Sequence, residues 1–381
     1  MGWKVKLRQN FASFFSAKLR RKMPSSSALK SRAVRNSEPS RAKRALTSRP
    51  VQIGLSVILA VTLLVFFLRG INFRDIARQV AAASGGWLAA SILLAIGTFL
   101  FRALRWTWLL RPVARVRFYP AFVATAFGFA ANNLPGKVGE VLRPALLARS
   151  EKLPFSPLLA SVLLERVFDG ASVLFFFVIA VASGIPNTEG AGKLILPAAL
   201  LLVLVGGVLF SVFRRAATER FLEKFWRRLP ERFQPRARTF AETFVDGFAS
   251  LKDPRLLLLV TLGSLAMWSI INLQIYAVLR AFHLELPFSA SFVVTAAAVL
   301  GLMFPTPGGL GSYHLAVQIA LTDVYGVARD TASGVALLAH AISFVPITLI
   351  GLALFAVTPI RGKRIEELER LAETGVANRE S

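Results

Sequence analysis

Two short stretches decide how this chain is read: ANNLPGKVGE at residues 131–140 and MFPTPGGLGS at residues 303–312. Each ends a long apolar run, 118–134 in the first case and 288–304 in the second. Proline withdraws a backbone donor and disfavours helix in the residue before it, and glycine permits sharp turns. Each run must therefore break there. After each break comes an amphipathic stretch, 138–149 or 310–321. At 1.5 Å per residue such a stretch is roughly 18 Å long, too short to cross a hydrocarbon core of about 30 Å. The segments 118–149 and 288–321 are therefore expected to be re-entrant helix–break–helix hairpins, each entering and leaving on one side of a membrane.

The rest of the chain supplies that membrane setting. Its 381 residues are 55% hydrophobic with a mean hydropathy of +0.57. The stretches 51–68, 194–213 and 256–279 carry no charge over a length that spans a bilayer as helix. Eight apolar segments can be marked: 51–68, 87–110, 118–134, 156–183, 193–213, 254–280, 288–304 and 331–358. If all eight crossed from a cytoplasmic N-terminus, the loop 214–253 would lie outside with ten Lys/Arg. That conflicts with the positive-inside rule. Treating the two broken segments as re-entrant removes the conflict. Six segments then cross, both termini are cytoplasmic, and 111–117, 150–155, 214–253 and the tail from Arg361 lie inside. The loop 69–86, with Arg69, Arg74 and Arg78, is read as an outside loop and fits least well.

The breaks also reveal a repeat. Residues 135–139 and 307–311 share the pattern PGxxG at an offset of 172, which carries 87–110 onto 254–280 and 156–183 onto 331–358 to within a few residues. Each unit reads span, hairpin, span, about 87–183 and 254–358, and parity makes the units inverted. Inverted repeats with broken helices point to a binding site at mid-bilayer.

The ends are different in kind. Residues 1–50 hold fourteen Lys/Arg against the single acid Glu38, and next to a span this reads as a cytoplasmic tail on anionic lipid, not a nucleic-acid arm. Trp3, Leu7, Phe11, Phe14 and Phe15 suggest a short interfacial helix within it, followed by a disordered linker. Segment 214–253 mixes its cations with six acids and several aromatics, as amphipathic helices on the inner surface would. Residues 359–381 are read as a second cytoplasmic tail. There is no cysteine, no phosphate loop and no HExxH pair, so no cofactor and no metal are expected.

Candidate site residues follow from cost. Irregular backbone survives at membrane depth only against protein or a wet cavity. The helices restarting near Val138 and Leu310 would aim unpaired N–H groups at an anion, with Lys137 beside the first. Glu165, Arg166 and Asp169 lie inside the segment 156–183, where ionised groups are costly. Their spacing puts them on one side, as does that of Glu140 and Arg143 on the hairpin. A cation facing a cavity and a locking salt-bridge network are both open readings of this set. His314, one turn into the second restarted helix, is a further head-group candidate. Arg102 and Arg105, late in the second span beside Trp106 and Trp108, are expected to snorkel to the interface.

The runs NNLPGKVGEVLRPALLAR (132–149), LLERVFDG (163–170) and PTPGGLGSYHLAVQIAL (305–321) resemble the membrane domain of lysylphosphatidylglycerol synthetases, also described as flippase-like. The similarity runs over roughly 51–358. It implies a lipid-translocating domain whose polar and turn positions match Pro135, Gly136, Gly139, Glu140, Arg143, Glu165, Arg166, Asp169, Pro307, Gly308, Gly309 and Gly311. In fused members of that family a soluble domain makes the aminoacylated lipid. Only 23 residues follow Thr358, so no such synthesis is expected of this chain. His314 stands where many relatives carry a glutamate.

The expectation is thus an all-α polytopic membrane protein of the cell inner membrane, with about six spans and two re-entrant hairpins. It is expected to carry a phospholipid or related amphipathic lipid between leaflets without being an enzyme. The alternatives are an intramembrane head-group transferase and an accessory scaffold for a lipid-modifying enzyme. Partners expected are membrane lipids, with a lipid-synthesising enzyme and a second copy of the chain as further candidates, and no nucleic acid.

Overall fold

The computed structural model describes residues 49–133, 138–186 and 253–357. Those residues form ten α-helices and, among them, no strand. The segment 193–213, the basic segment 214–252, both tails and the break residues Pro135, Gly136 and Lys137 lie outside the described residues. The chain divides into two units, Met1–Gly54, of which only the start of the first helix is described, and Leu55–Ser381, which carries all that follows.

The helices are α1 (Arg49–Leu68), α2 (Phe73–Ala82), α3 (Gly85–Leu109), α4 (Phe118–Ala131), α5 (Gly139–Glu151), α6 (Phe155–Ala182), α7 (Pro254–Ala281), α8 (Phe288–Met303), α9 (Ser312–Ile319) and α10 (Arg329–Val357). A 3₁₀ turn at Pro307–Gly309 precedes α9, and a π turn at Ala320–Val324 follows it. Local chemistry sets the ends. Asp253 caps α7 by accepting from the backbone N–H groups of Arg255 and Leu256, and Pro254 occupies the first turn. Lys152 closes α5 in the left-handed conformation.

Among the described residues, α3, α7 and α10 are long and apolar enough to cross a membrane, and a fourth span is reached if α1 and α2 count together. The loop expected at 69–86 is not a loop. It holds α2, bent 80° from α1, with Asn72 capping it and the Asn72 N–H donating to Asp330 at the start of α10. Helix α6 has 28 residues, about 42 Å of helix, and carries its charges at its middle.

Helices α4 and α8 stop short, at Ala131 and Met303, and the chain turns back. Within each hairpin the two helices run antiparallel through glycine contacts. A Cβ on Gly139 would lie 1.8 Å from the Gly128 carbonyl, and one on Gly301 would lie 2.6 Å from the Ser312 carbonyl. Small residues at such crossings let backbones touch, which is how helices associate where apolar burial gives no drive.

The long helices pack with a matched pattern. Helices α3 and α7 run antiparallel along their length, from the Ser84 N–H on the Ala281 carbonyl, through Ser91 on the Gln274 carbonyl, to Arg105 on Ser264. The first hairpin's α4 packs on α10, and the second hairpin's α8 packs on α6. The pairs α3 with α10 and α7 with α6 correspond in the same way, as do α5 with α6 and α9 with α10.

The second break meets the end of α4. The Gly308 N–H donates to the Asn132 carbonyl at 3.4 Å, and a Cβ on Gly308 would crowd Asn133 Oδ1. Helix α1 lies against the second break, with Ser56 donating to the Pro305 carbonyl and no room for a Cβ on Gly311 against Leu64 and Ala60. Gly308, Gly309 and Gly311 all have positive φ, a conformation that favours glycine.

Gly139→Val is expected to destabilise the protein by at least the roughly 1–3 kcal/mol of an overpacked core, read as a lower Tm in detergent. Gly97→Ala, with nothing within 4 Å of the added carbon, is expected to leave Tm unchanged or slightly raised.

Candidate functional site

Helix α6 carries Glu165 and Asp169 one turn apart, so both carboxylates leave the same face. Both are buried, and an unpaired carboxylate there would be costly enough to exclude the fold. Four guanidiniums from three helices answer them. Arg102 Nη1 donates to Glu165 Oε1 at 3.3 Å and to Asp169 Oδ2 at 3.1 Å. Arg105 Nη2 donates to Asp169 Oδ1 at 2.7 Å and lies 3.2 Å from Glu165 Oε1, while its Nη1 donates to Ser264 on α7 at 2.6 Å. Arg143, in the first turns of α5, donates to Glu165 Oε2 at 2.9 Å. Arg166 closes the set, with Nη2 3.4 Å from Glu165, Nη1 3.5 Å from Asp169 and Nε 3.8 Å from Glu140.

Aromatic rings wall the cluster. The Arg143 guanidinium lies over the Trp106 ring at 3.9 Å, and Arg102 lies over Phe129 at 5.1 Å. Such contacts favour a desolvated cation. Trp106 is itself fixed by donating to Ser161 at 2.9 Å, and Trp268 on α7 donates to Asp169 at 3.1 Å. The network ties α3, α5, α6 and α7 together.

Arg102 and Arg105 correct the expectation that they snorkel to the interface. Both are buried, Arg105 completely, because the carboxylates of α6 require more positive charge than Arg166 supplies. Their i,i+3 spacing puts them on one face, and that was the available signal. Of the sequence candidates, Glu140, Arg143, Glu165, Arg166 and Asp169 come together. His314 does not join them. It packs beside Phe67, Tyr313 and His340 near the second break. Lys137 lies outside the described residues.

Two features give the cluster chemical capacity. The first is charge: Arg102, Arg105, Arg143 and Arg166 face Glu140, Glu165 and Asp169, four cations against three anions. Among the described residues, Arg143 Nη2 and the Nε atoms of Arg102, Arg105 and Arg143 are buried donors with no hydrogen-bond partner. Unanswered buried donors are expensive and are normally met by water or ligand. The second is access. Side chains of Arg102, Arg105, Arg143, Glu165 and Asp169 are almost wholly buried, but those of Arg166 and Glu140 are 39% and 37% exposed. Val138 just before α5, Val141 on α5 and Leu163 on α6, near them along the chain, are exposed apolar side chains. The open edge of an arginine-rich cluster is thus bordered by apolar surface. Among the described residues, no group of His, Asp and Glu is arranged to hold a metal.

Glu165→Ala leaves several guanidiniums without an anion and is expected to cost about 3–5 kcal/mol of stability, the penalty for breaking a buried ion network. Glu140→Ala removes a half-exposed partner and is expected to cost about 0–1 kcal/mol. Thermal unfolding in detergent separates the two.

The family model for the lysylphosphatidylglycerol synthase TM region matches residues 51–351, which include every helix of this network. A UPF0104 membrane protein of Methanothermobacter thermautotrophicus is 27% identical over 315 residues, 78% of this chain and 90% of that protein. The motifs that resemble that family all lie within the matched region. This chain is a membrane protein and belongs to the family of the lysylphosphatidylglycerol synthase transmembrane region.

Proposed function

We propose that this chain carries a phospholipid between the leaflets of the cell inner membrane, as a transporter and not as an enzyme. The head group enters at Arg166 and Glu140 while the acyl chains stay in lipid. The observation that carries this reading is the half-exposed Arg166, the accessible member of a cluster with one cation in excess, bordered by apolar side chains. One uncompensated positive charge suits the single negative charge of a phosphodiester. Arg143, whose second Nη has no partner among the described residues, would hold the phosphate from behind Arg166, and the sequence puts Lys137 three residues from Glu140. Glu140 would engage an amino group where the head group has one. Bidentate guanidinium geometry is well matched to phosphate.

Movement across the bilayer needs a second arrangement, and the matched helix packings support a source for it. Helices α3–α6 and α7–α10 repeat the order long, short, short, long, and α3 and α7 cross antiparallel. This is the relation of an inverted repeat about an axis between α3 and α7. On that reading six segments cross, with 193–213 among them, both termini are cytoplasmic, and the hairpins dip in from opposite faces. Rocking of one unit against the other would expose Arg166 first to one leaflet and then to the other.

Wild-type protein in liposomes is expected to speed movement of a fluorescent phospholipid between leaflets. Arg166→Gln, at unchanged Tm, is expected to slow it about ten- to hundredfold, the worth of one charged hydrogen bond. Equal rates would assign the cluster to locking the helices.

A further inference from the structure

The inverted relation proposed above gives the ion network a counterpart in the second unit. Arg102 bonds Asp169 in the first unit; Gln274 bonds Ser343 at 3.0 Å in the second, at offsets of 172 and 174. Arg143 bonds Glu165 in the first unit; at offsets of 171 and 175 stand His314 and His340. Those two rings lie 4.6 Å apart between centroids. Where the first unit has an arginine–glutamate pair, the second has two imidazoles, each with one ring nitrogen that can take up a proton.

Their hydrogen bonds assign the protons. His340 Nε2 lies 2.8 Å from the Gly308 carbonyl, an acceptor, so Nε2 carries a hydrogen and Nδ1 of the neutral ring is bare. His314 Nδ1 accepts from the Gly311 N–H at 3.4 Å, so the neutral ring carries its hydrogen on Nε2. A proton arriving at His314 would have to take Nδ1, breaking that cap and putting a cation at the positive end of α9. A proton arriving at His340 takes the bare Nδ1 and breaks nothing. It leaves a charged donor on the Gly308 carbonyl and a cation stacked on Phe344 at 4.3 Å, with Tyr313 edge-on at 5.0 Å.

The surroundings raise no competing charge. Helix α9 contributes His314 and Tyr313 to the pair, α1 contributes Phe67, α10 contributes Phe344, and the first break contributes Asn133. No carboxylate, lysine or arginine among the described residues hydrogen-bonds or ion-pairs with either ring. A pocket of about 250 Å³ adjoins His340, lined also by Asn133, Thr348, Gly308 and the exposed Val345 and Leu349.

We propose that His340, paired with His314 on the second break, is a proton-binding site that takes up one proton and thereby tightens the hold of α10 on Gly308. The transported lipid would then be linked to a proton through the contact of Gly308 with Asn132 in the first hairpin. The linkage rests on the transport reading; the proton site does not.

The test is nitrogen-15 NMR of histidine-labelled full-length protein in nanodiscs between pH 4.5 and 8.5. The chain has three histidines, and the exposed His283 serves as an internal reference. His340 is expected to become doubly protonated on acidification while His314 stays neutral. His340→Gln is expected to leave His314 neutral throughout, with the His283 signal confirming the fold. Two independent transitions at His314 and His340, or none at His340, would overturn the site. A second readout follows the break: maleimide labelling of Val345→Cys, relative to Val141→Cys in this cysteine-free chain, is expected to slow at least threefold from pH 8 to pH 6, and not when His340→Gln is added. A ratio that does not change with pH would overturn the tightening. If both readouts hold while liposomes show no lipid movement, the transport reading fails and the proton site stands.

Discussion

Two carboxylates buried at the middle of α6 constrain everything packed around them. Glu165 and Asp169 have neither bulk water nor headgroups to hold their charge, so the fold brings arginine to them from α3 and α5. Once Arg102 and Arg105 point at α6, α3 is fixed in rotation, and Ser264 and Trp268 bind α7 to the same centre. Once Arg143 points there, the start of α5 is fixed too. Buried ion networks do not on balance stabilise, because desolvation offsets the attraction. What this one does is specify a single arrangement of four helices and hold more positive charge than it needs for itself.

On the proposed reading, the surplus is what separates a receptor from a locking network. A lock needs equal charge and enclosure. Among the described residues, this cluster has an extra guanidinium, buried donors with no partner, and one open edge where Arg166 and Glu140 reach the surface beside apolar side chains. The second unit repeats the helix order but not the charge. On the proposed repeat, Gln274, Ser343, His314 and His340 stand in the corresponding region, so the two halves differ in the side chains they bring together.

Much of this was legible in the sequence, for physical reasons. Proline and glycine clustered within a few residues disfavour helix, so the stops at Ala131 and Met303 were legible from residue type, and the shortness of the restarted helices followed. Spacing of three and four placed Glu165, Arg166 and Asp169 together. Arg102 and Arg105 were misread because an arginine near the end of an apolar helix has two low-cost fates, the interface or a buried anion. Spacing does not choose between them, but the unmet carboxylates of α6 do. Helix α2 was hidden by its arginines, although Phe73, Ile76 and Val80 recur at helical spacing along it. His340 was passed over because its partners, Gly308 and His314, are brought to it by the fold.

The central claim is that the cluster is built around an anion supplied from outside the chain. Lipid retained by gently purified protein, quantified per chain by mass spectrometry, tests it most directly. The account predicts about one tightly held phospholipid per wild-type chain, and its loss when Arg166 and Arg143 are both replaced by glutamine in protein that remains folded. Equal retention by wild type and the double variant would contradict it.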